Sequence, residues 1–202
     1  MSIDTTRSRR ARLDQEAVLQ AAEALVDRDG YDALTMTSLA AELEARVSSL
    51  YNHVANLEDL RALIQVRAMR LLGDHVRGAA MGHAGVAGLR ALSHALRTFA
   101  RTHPQRYAAL TRPPIDREEF YAAALDAIEA LAIMGRSAGL PDERLLQNAM
   151  ALFACLHGFV SLEVAGYFGD LSGTNAELVD LDEVYEHVID GAVTAASLDA
   201  TR

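Results

Sequence analysis

The sequence carries one cysteine, no lysine and four prolines in 202 residues, and each scarcity excludes something. Cys155 has no thiol partner within the chain, so neither a disulfide framework nor a cysteine-based zinc site can form inside one copy. It lies in an apolar run with nothing adjacent to lower its pKa, which predicts a buried, inert thiol. All nineteen cations are arginine, which we read as composition bias with a chemical by-product: every cation can make a bidentate phosphate contact. Alternating strand-like runs and Gly-flanked β-branched clusters are missing, and internal repeats and low-complexity tracts with them. The longest apolar runs are broken by His, Glu or Gly, so no bilayer-spanning segment is expected. Met1 to Arg12 is polar and arginine-rich, unlike a signal peptide. The expectation is a soluble, intracellular, all-α protein with no membrane partner.

A chain of this length can bury roughly 70% of its unfolded surface in one or two domains. Its net charge of -9 argues superficially against nucleic acid. The distribution matters more than the sum. Arg7, Arg9, Arg10 and Arg12 face one acid, Asp4, whereas from Glu177 onward there are seven acids and one arginine, Arg202. Such polarity suits a basic head that meets phosphate and a body that does not.

Helix starts are legible throughout. Asp14 caps a stripe of Val18, Ala21, Ala22, Leu25 and Val26, with Leu13 and Val18 as hydrophobic staple and Gly30 as the stop. Thr35 opens a short helix with Met36, Leu39, Ala40 and Leu43 inward, stapled by Leu34 and Leu39. After a break at Glu44 to Arg46, a third short helix buries Val47, Leu50 and Val54. Asn56 caps a fourth, whose stripe continues through Leu60, Leu63, Ile64 and Leu71 to about Arg77, before a loose connection from Gly78 to Gly88. A fifth carries Leu89, Leu92, Leu96 and Phe99 and stops before Pro104. A short helix is expected around Arg106 to Leu110. Asp116 to Glu119 is a capping box with Ile115 and Phe120 as staple, opening a seventh helix. Pro141 starts an eighth, apolar nearly all round and so expected to be buried on most sides. After a loop from Gly169 to about Asp180, Leu181, Val184, Tyr185, Val188, Ile189 and Ala192 share the last stripe.

Three helices within 55 residues, the second and third short and joined by three residues, make a helix-turn-helix. The third would enter a major groove, its outward face presenting Ser48, Ser49, Asn52 and His53, with Arg46 at its start and Tyr51 on the flank. Asn can pair with adenine through two hydrogen bonds, and the Arg, Tyr, Ser and His side chains can donate to phosphate. The order Gly30-Tyr31, a Thr35-opened helix and Leu50-Tyr51-Asn52-His53-Val54 resembles the N-terminal signature of the TetR family, over about residues 12 to 65. The resemblance implies a bacterial, nucleoid-associated cytoplasmic dimer that binds a palindromic double-stranded DNA operator and is released by a small, largely apolar inducer. It implies DNA contacts from Arg46, Ser48, Ser49, Tyr51, Asn52 and His53, with Thr35 and Thr37 near phosphate. Arg9, Arg10 and Arg12 would form an arm along phosphate or in the minor groove. Two positions depart from the family pattern: Glu44-Ala45 stands where Gly-Val is usual, and Leu57 where a phosphate-binding Lys is usual. Both should weaken backbone affinity.

Residues 1–56 are expected to form the arm and head, and 57–202 the ligand-binding and dimerising body. Leu156-His157-Gly158 resembles, without its first residue, the Trp-His-Gly triplet of one TetR branch. Bodies of that kind pair their last two helices across a dimer axis. A pocket between the fourth and eighth helices is implied, and Phe99, Tyr107, Phe120, Phe153 and His157 are its candidates, although such residues at helical spacing more often pack a core. The remaining histidines share no metal-like spacing with carboxylates, so no metal is assigned, and no cofactor. No nucleophile-base-orienter set or phosphate-cradling glycine loop occurs, which argues against an enzyme. The rival to a repressor is a helical ligand-binding or scaffold protein that has lost operator binding.

Overall fold

The computed structural model describes residues 13–169 and 179–199, with side chains to 195. Its elements are α1 (Gln15–Asp29), a 3-10 turn (Tyr31–Ala33), α2 (Met36–Glu42), α3 (Val47–Leu50), α4 (Leu57–Ala80), α5 (Gly85–Thr102), α6 (Pro104–Leu110), α7 (Arg117–Ser137), α8 (Asp142–Val164) and α9 (Leu181–Asp199). No strand occurs among the described residues. The arginine arm, including Arg9, Arg10 and Arg12, lies outside them.

Local chemistry starts these helices where the sequence indicates. The carboxylate of Asp14 accepts from the Ala17 amide, and that of Asp116 from the Glu119 amide. Asn56 Oδ1 accepts from the Asp59 amide, and Thr35 and Ser38 close a reciprocal capping box. Each cap satisfies a donor that a helix start leaves orphaned, typically stabilising by about 1 kcal/mol. Gly30 ends α1 at φ 95, a conformation that favours glycine.

Two apolar clusters organise the chain. The first joins Val18, Leu25 and Val26 of α1, Leu34, Leu39, Leu50 and Val54, and is closed by Leu60 and Ile64 of α4 and Ala109 of α6. The second holds Leu72 and Val76 of α4, Leu92, Leu96 and Phe99 of α5, Met134 of α7, Leu152, Leu156 and Phe159 of α8, and Tyr185 and Ile189 of α9. Gly88 lets α5 approach α7, because a Cβ there would run into the Met134 side chain. Arg97 is buried in the second cluster. It pairs with Glu163 at 2.6 Å and Asp182 at 2.8 Å and lies 4.8 Å over the Tyr185 ring, so one cation ties α5, α8 and α9 together. Burying that charge is tolerable because two carboxylates and a ring face compensate it.

Several expectations need correction. Leu71 is exposed; the buried positions of α4 run through Leu72, Val76 and Ala80, as its partners change from the head to α5 and α7. The expected loose connection from Gly78 shrinks to residues 81–84, since α4 continues to Ala80 and α5 begins at Gly85. Helix α8 buries only one stripe, leaving Leu146, Met150, Phe153 and Leu162 exposed. Cys155 is exposed for the same reason: it lies on a flank of α8 that no other described element covers. Contrary to the run-length argument, α8 is long and apolar enough by length and composition to cross a membrane. Its polar residues are too few to lower the mean, yet it packs against α5, α7 and α9 as one wall of the body.

Candidate functional site

Helix α3 is held from below and open above. Leu50 and Val54 are buried in the head core, while Arg46, Ser48, Tyr51 and Asn52 are exposed and Ser49 and His53 half-buried. Tyr51 is 52% exposed, which leaves its ring and hydroxyl on the surface of the head. Regular helix covers Val47–Leu50, and Tyr51 to His53 continue as a turn in which the His53 amide still donates to the Leu50 carbonyl. Thr35 and Thr37 are both exposed at the start of α2, but the Thr35 hydroxyl is engaged in its cap. Between α2 and α3 the chain turns through Glu44 at φ 48, among the described residues the one non-glycine with positive φ. The turn therefore takes the left-handed geometry that glycine would adopt freely, at a strain of about 1–2 kcal/mol for an L-residue.

Helix α6 is the joint between the clusters. Its Ala109 belongs to the head core and its Tyr107 to the body core. Arg106 pairs with Asp27 of α1 at 2.7 Å, and Arg112 just beyond α6 pairs with Asp32 at 2.6 Å while lying 5.1 Å over the Tyr31 ring. Gln65 of α4 is 1% exposed; its amide nitrogen Nε2 donates to the Ala109 carbonyl at 3.1 Å, and its Oε1 accepts from the Ile115 amide at 3.0 Å. Helix α6 is thus tied directly to α1 and to α4.

On the body side, the Tyr107 hydroxyl lies 2.7 Å from His157 Nδ1. The Phe153 ring stacks on the imidazole at 5.3 Å and 10°. Ser161 Oγ is 3.4 Å from both ring nitrogens. Burial pushes the phenol up to about 12 and pulls the imidazole below its ordinary value, so both are neutral at physiological pH. Three of the five predicted ligand residues, Tyr107, Phe153 and His157, therefore meet in one cluster. Phe99 lies deep in the core between His75 and His103, and Phe120 pairs with Tyr121 at the base of α7. Two recesses elsewhere hold none of the five: an apolar crevice between Leu89, Leu131, Leu145 and Leu152, and a polar one between His94, Arg97, Asp182 and Glu186.

Gln65, Arg106, Arg112 and Ser161 do not stand out in the sequence. Their partners lie 4 to 80 residues away, and only Ser161, one turn from His157, carries a local signal.

Comparison with known proteins adds three findings. Residues 89–192 match a family model described as the tetracyclin repressor-like C-terminal domain. The chain is 35% identical over 176 residues to the HTH-type transcriptional regulator Rv0681 of Mycobacterium tuberculosis, covering 86% of this chain and 80% of that protein. Among solved structures it resembles a TetR variant from Acinetobacter baumannii AYE in complex with minocycline (TM-score 0.67, 21% identity, 91% and 92% of the two chains covered). It also resembles BioQ with its double-stranded DNA operator (TM-score 0.57, 21% identity, 90% and 99% covered). At these identities the structural likeness is one of fold.

Proposed function

The chain belongs to the TetR family of transcriptional regulators, and from that premise we propose that it is a homodimeric repressor, released from a palindromic operator by a small, largely apolar ligand. The observation that carries this reading is the outer face of α3, where Arg46, Ser48, Tyr51 and Asn52 are exposed while Leu50 and Val54 anchor the helix from behind. In this reading Asn52 reads a base edge, and Tyr51, Ser49, His53, Thr37 and the Arg9, Arg10 and Arg12 arm meet the backbone. BioQ, which shares the fold, binds a double-stranded operator. The head then comprises residues 1–56, its core completed by Leu60 and Ile64 of the body's first helix. The protein works in the bacterial cytoplasm, against nucleoid DNA.

The second copy docks on α8 and α9. Ala151, Ala154, Cys155 and Gly158 of α8 and Gly191 and Ala195 of α9 are exposed and small, and a Cβ added at Gly158 or Gly191 meets nothing within 4 Å among the described residues. Four such helices can close to short distances around a two-fold axis. A ligand in the body would act through α6, shifting the heads away from the spacing near 34–36 Å that suits successive major grooves.

Gel shift of the full chain with DNA from upstream of its own reading frame tests the proposal. We expect a specific complex that Tyr51→Ala abolishes while the dimer persists. A folded dimer that gives no specific shift at low salt would leave the alternative, a helical ligand-binding protein without an operator, a reading that the Glu44 carboxylate in the turn favours.

A further inference from the structure

The head is acidic where a DNA-binding surface needs cations. Residues 13–56 hold eight carboxylates and two arginines. The arginine arm apart, attraction to phosphate therefore has to come from the few positive groups that no acid already holds. Most arginines near the head are held. Arg28 pairs with Asp29 and Glu42, Arg67 of α4 with Glu16 and Glu23, Arg106 with Asp27, and Arg112 with Asp32. Farther along α4, Arg70 pairs with Glu119, and Arg77 with Asp74 and Asp126. Among the described residues of the head and α4, Arg46 and Arg61 are the arginines that form no ion pair.

Arg46 already lies on the proposed DNA face, at the start of α3. Arg61 lies in the second turn of α4 and is half-buried. Its Nη2 donates to the Leu34 carbonyl at 3.2 Å, which puts the guanidinium against the peptide leading into Thr35, the cap of α2. Its Cζ lies 5.5 Å over the ring of Tyr31, a buried residue, so the cation has a packed wall behind it. Nε is shielded and has no acceptor, whereas Nη1 has no partner and is open to solvent. Arg112 lies over the same ring, but its charge is matched by Asp32. A half-buried guanidinium with one carbonyl for an acceptor lacks a counter-ion, a state that costs free energy. An anion arriving at the start of α2 would supply the missing charge.

We propose that Arg61 is a backbone contact of the head, binding a DNA phosphate beside the start of α2. It would replace the cation that Leu57, the first residue of α4, cannot provide. At 100° per residue Arg61 lies about 40° around the helix from Leu57 and one turn further on. The assignment rests on the DNA-binding reading of the head and adds to it a residue from the first helix of the body. Held on Leu34 and Tyr31, the guanidinium meets phosphate without first breaking an ion pair, which Arg67 or Arg106 would have to do.

Anisotropy titration of the full chain with a short duplex of arbitrary sequence, repeated over a range of salt, tests this, because phosphate contacts carry no sequence information. One contact contributes about 0.9 to the slope of log affinity against log salt, hence roughly 1.8 for a dimer with two heads. Arg61→Gln should flatten the slope by that amount, and Arg61→Lys should keep it. Side-chain nitrogen spectra of the wild-type chain give a readout without substitution. The Arg61 guanidinium signal should move on adding duplex, while that of Arg97, buried in the body, stays. Weaker binding by Arg61→Gln at an unchanged slope would make Arg61 a support for Tyr31 and overturn the assignment. A slope lost equally in Arg61→Lys, or an unmoved Arg61 signal, would do the same. A wild-type chain that binds no duplex at low salt fails as a DNA-binding protein, and the contact falls with it. One that binds duplex with a slope indifferent to Arg61→Gln keeps its DNA and loses the contact alone.

Discussion

Replacing Gln65 probes the joint on which both the head and the body depend. Its amide makes bonds of 3.1 Å to the Ala109 carbonyl and 3.0 Å from the Ile115 amide, with a longer one of 3.4 Å to Pro113. Gln65→Leu keeps the volume and removes all three. The Ala109 carbonyl retains a long bond from the Arg112 amide, so its loss is partial. The Ile115 amide has Gln65 as its hydrogen-bond acceptor and loses it. Two well-formed bonds at about 1 kcal/mol each, plus up to about 1 kcal/mol for a poorly solvated amide, give a destabilisation of about 2–3 kcal/mol. For a chain of this size that is a fall in Tm of roughly 4–12 °C. Gln65→Glu should be worse at neutral pH, because it keeps the acceptor but turns a carboxylate toward the Ala109 carbonyl in a buried site. Protonation restores a donor, so the Glu variant should recover stability as the pH falls, while the Leu variant should show no such relief. Urea unfolding followed by circular dichroism, at fixed chain concentration because dimerisation contributes, reads all three proteins. A Leu variant within about 0.5 kcal/mol of wild type, or a Glu variant without pH relief, would refute the role of Gln65 as a buried tie.

Gly158→Leu should leave each chain folded, since a Cβ there meets open space, yet convert the dimer to monomer in sedimentation velocity; an unchanged dimer would move the interface elsewhere. Glu44→Gly should relieve the left-handed strain at φ 48 and stabilise the head by about 0.5–1 kcal/mol after the entropic penalty of glycine. It should also tighten DNA binding by removing a carboxylate near phosphate, and a loss in either melting or filter-binding assays would contradict this. Asn52→Ala should relax base preference at one operator position and cost about 1–3 kcal/mol there; equal weakening on every sequence would make Asn52 a backbone contact. Burial lowers the pKa of His157, so its neutral form is favoured in the folded chain. That contribution is complete above the unfolded value near 6.5 and is lost as the pH falls through the lower folded value. The stability difference between wild type and His157→Gln should therefore shrink on acidification from pH 7 to 5, as chemical denaturation at each pH would reveal.

Much of the head is legible in the order of its residues. Asp14, Thr35, Asn56 and Asp116 cap helices because a side chain three residues from an orphaned amide needs no tertiary partner to reach it. The inward set Leu50 and Val54 follows from helical period once α3 is recognised, and with it the outward set through Tyr51 and Asn52. The same reasoning fails for α8. Periodicity cannot distinguish an apolar flank covered by α5 and α9 from one awaiting a partner outside the chain, so Phe153 and Cys155 read as interior residues and lie outside.

Bonds and stripes within one helix depend only on residues a few positions apart, and for that reason the amino-acid order suffices to set the side-chain-capped helix starts and the face of α3 that turns outward. Which distant side chains meet is decided only when the chain packs: Tyr107 with His157 across 50 positions, Arg112 with Asp32 across 80, Arg97 with Glu163 across 66. Those meetings depend on the packing angles and offsets of whole helices, which arise from many contacts at once and leave no periodic trace in the chain.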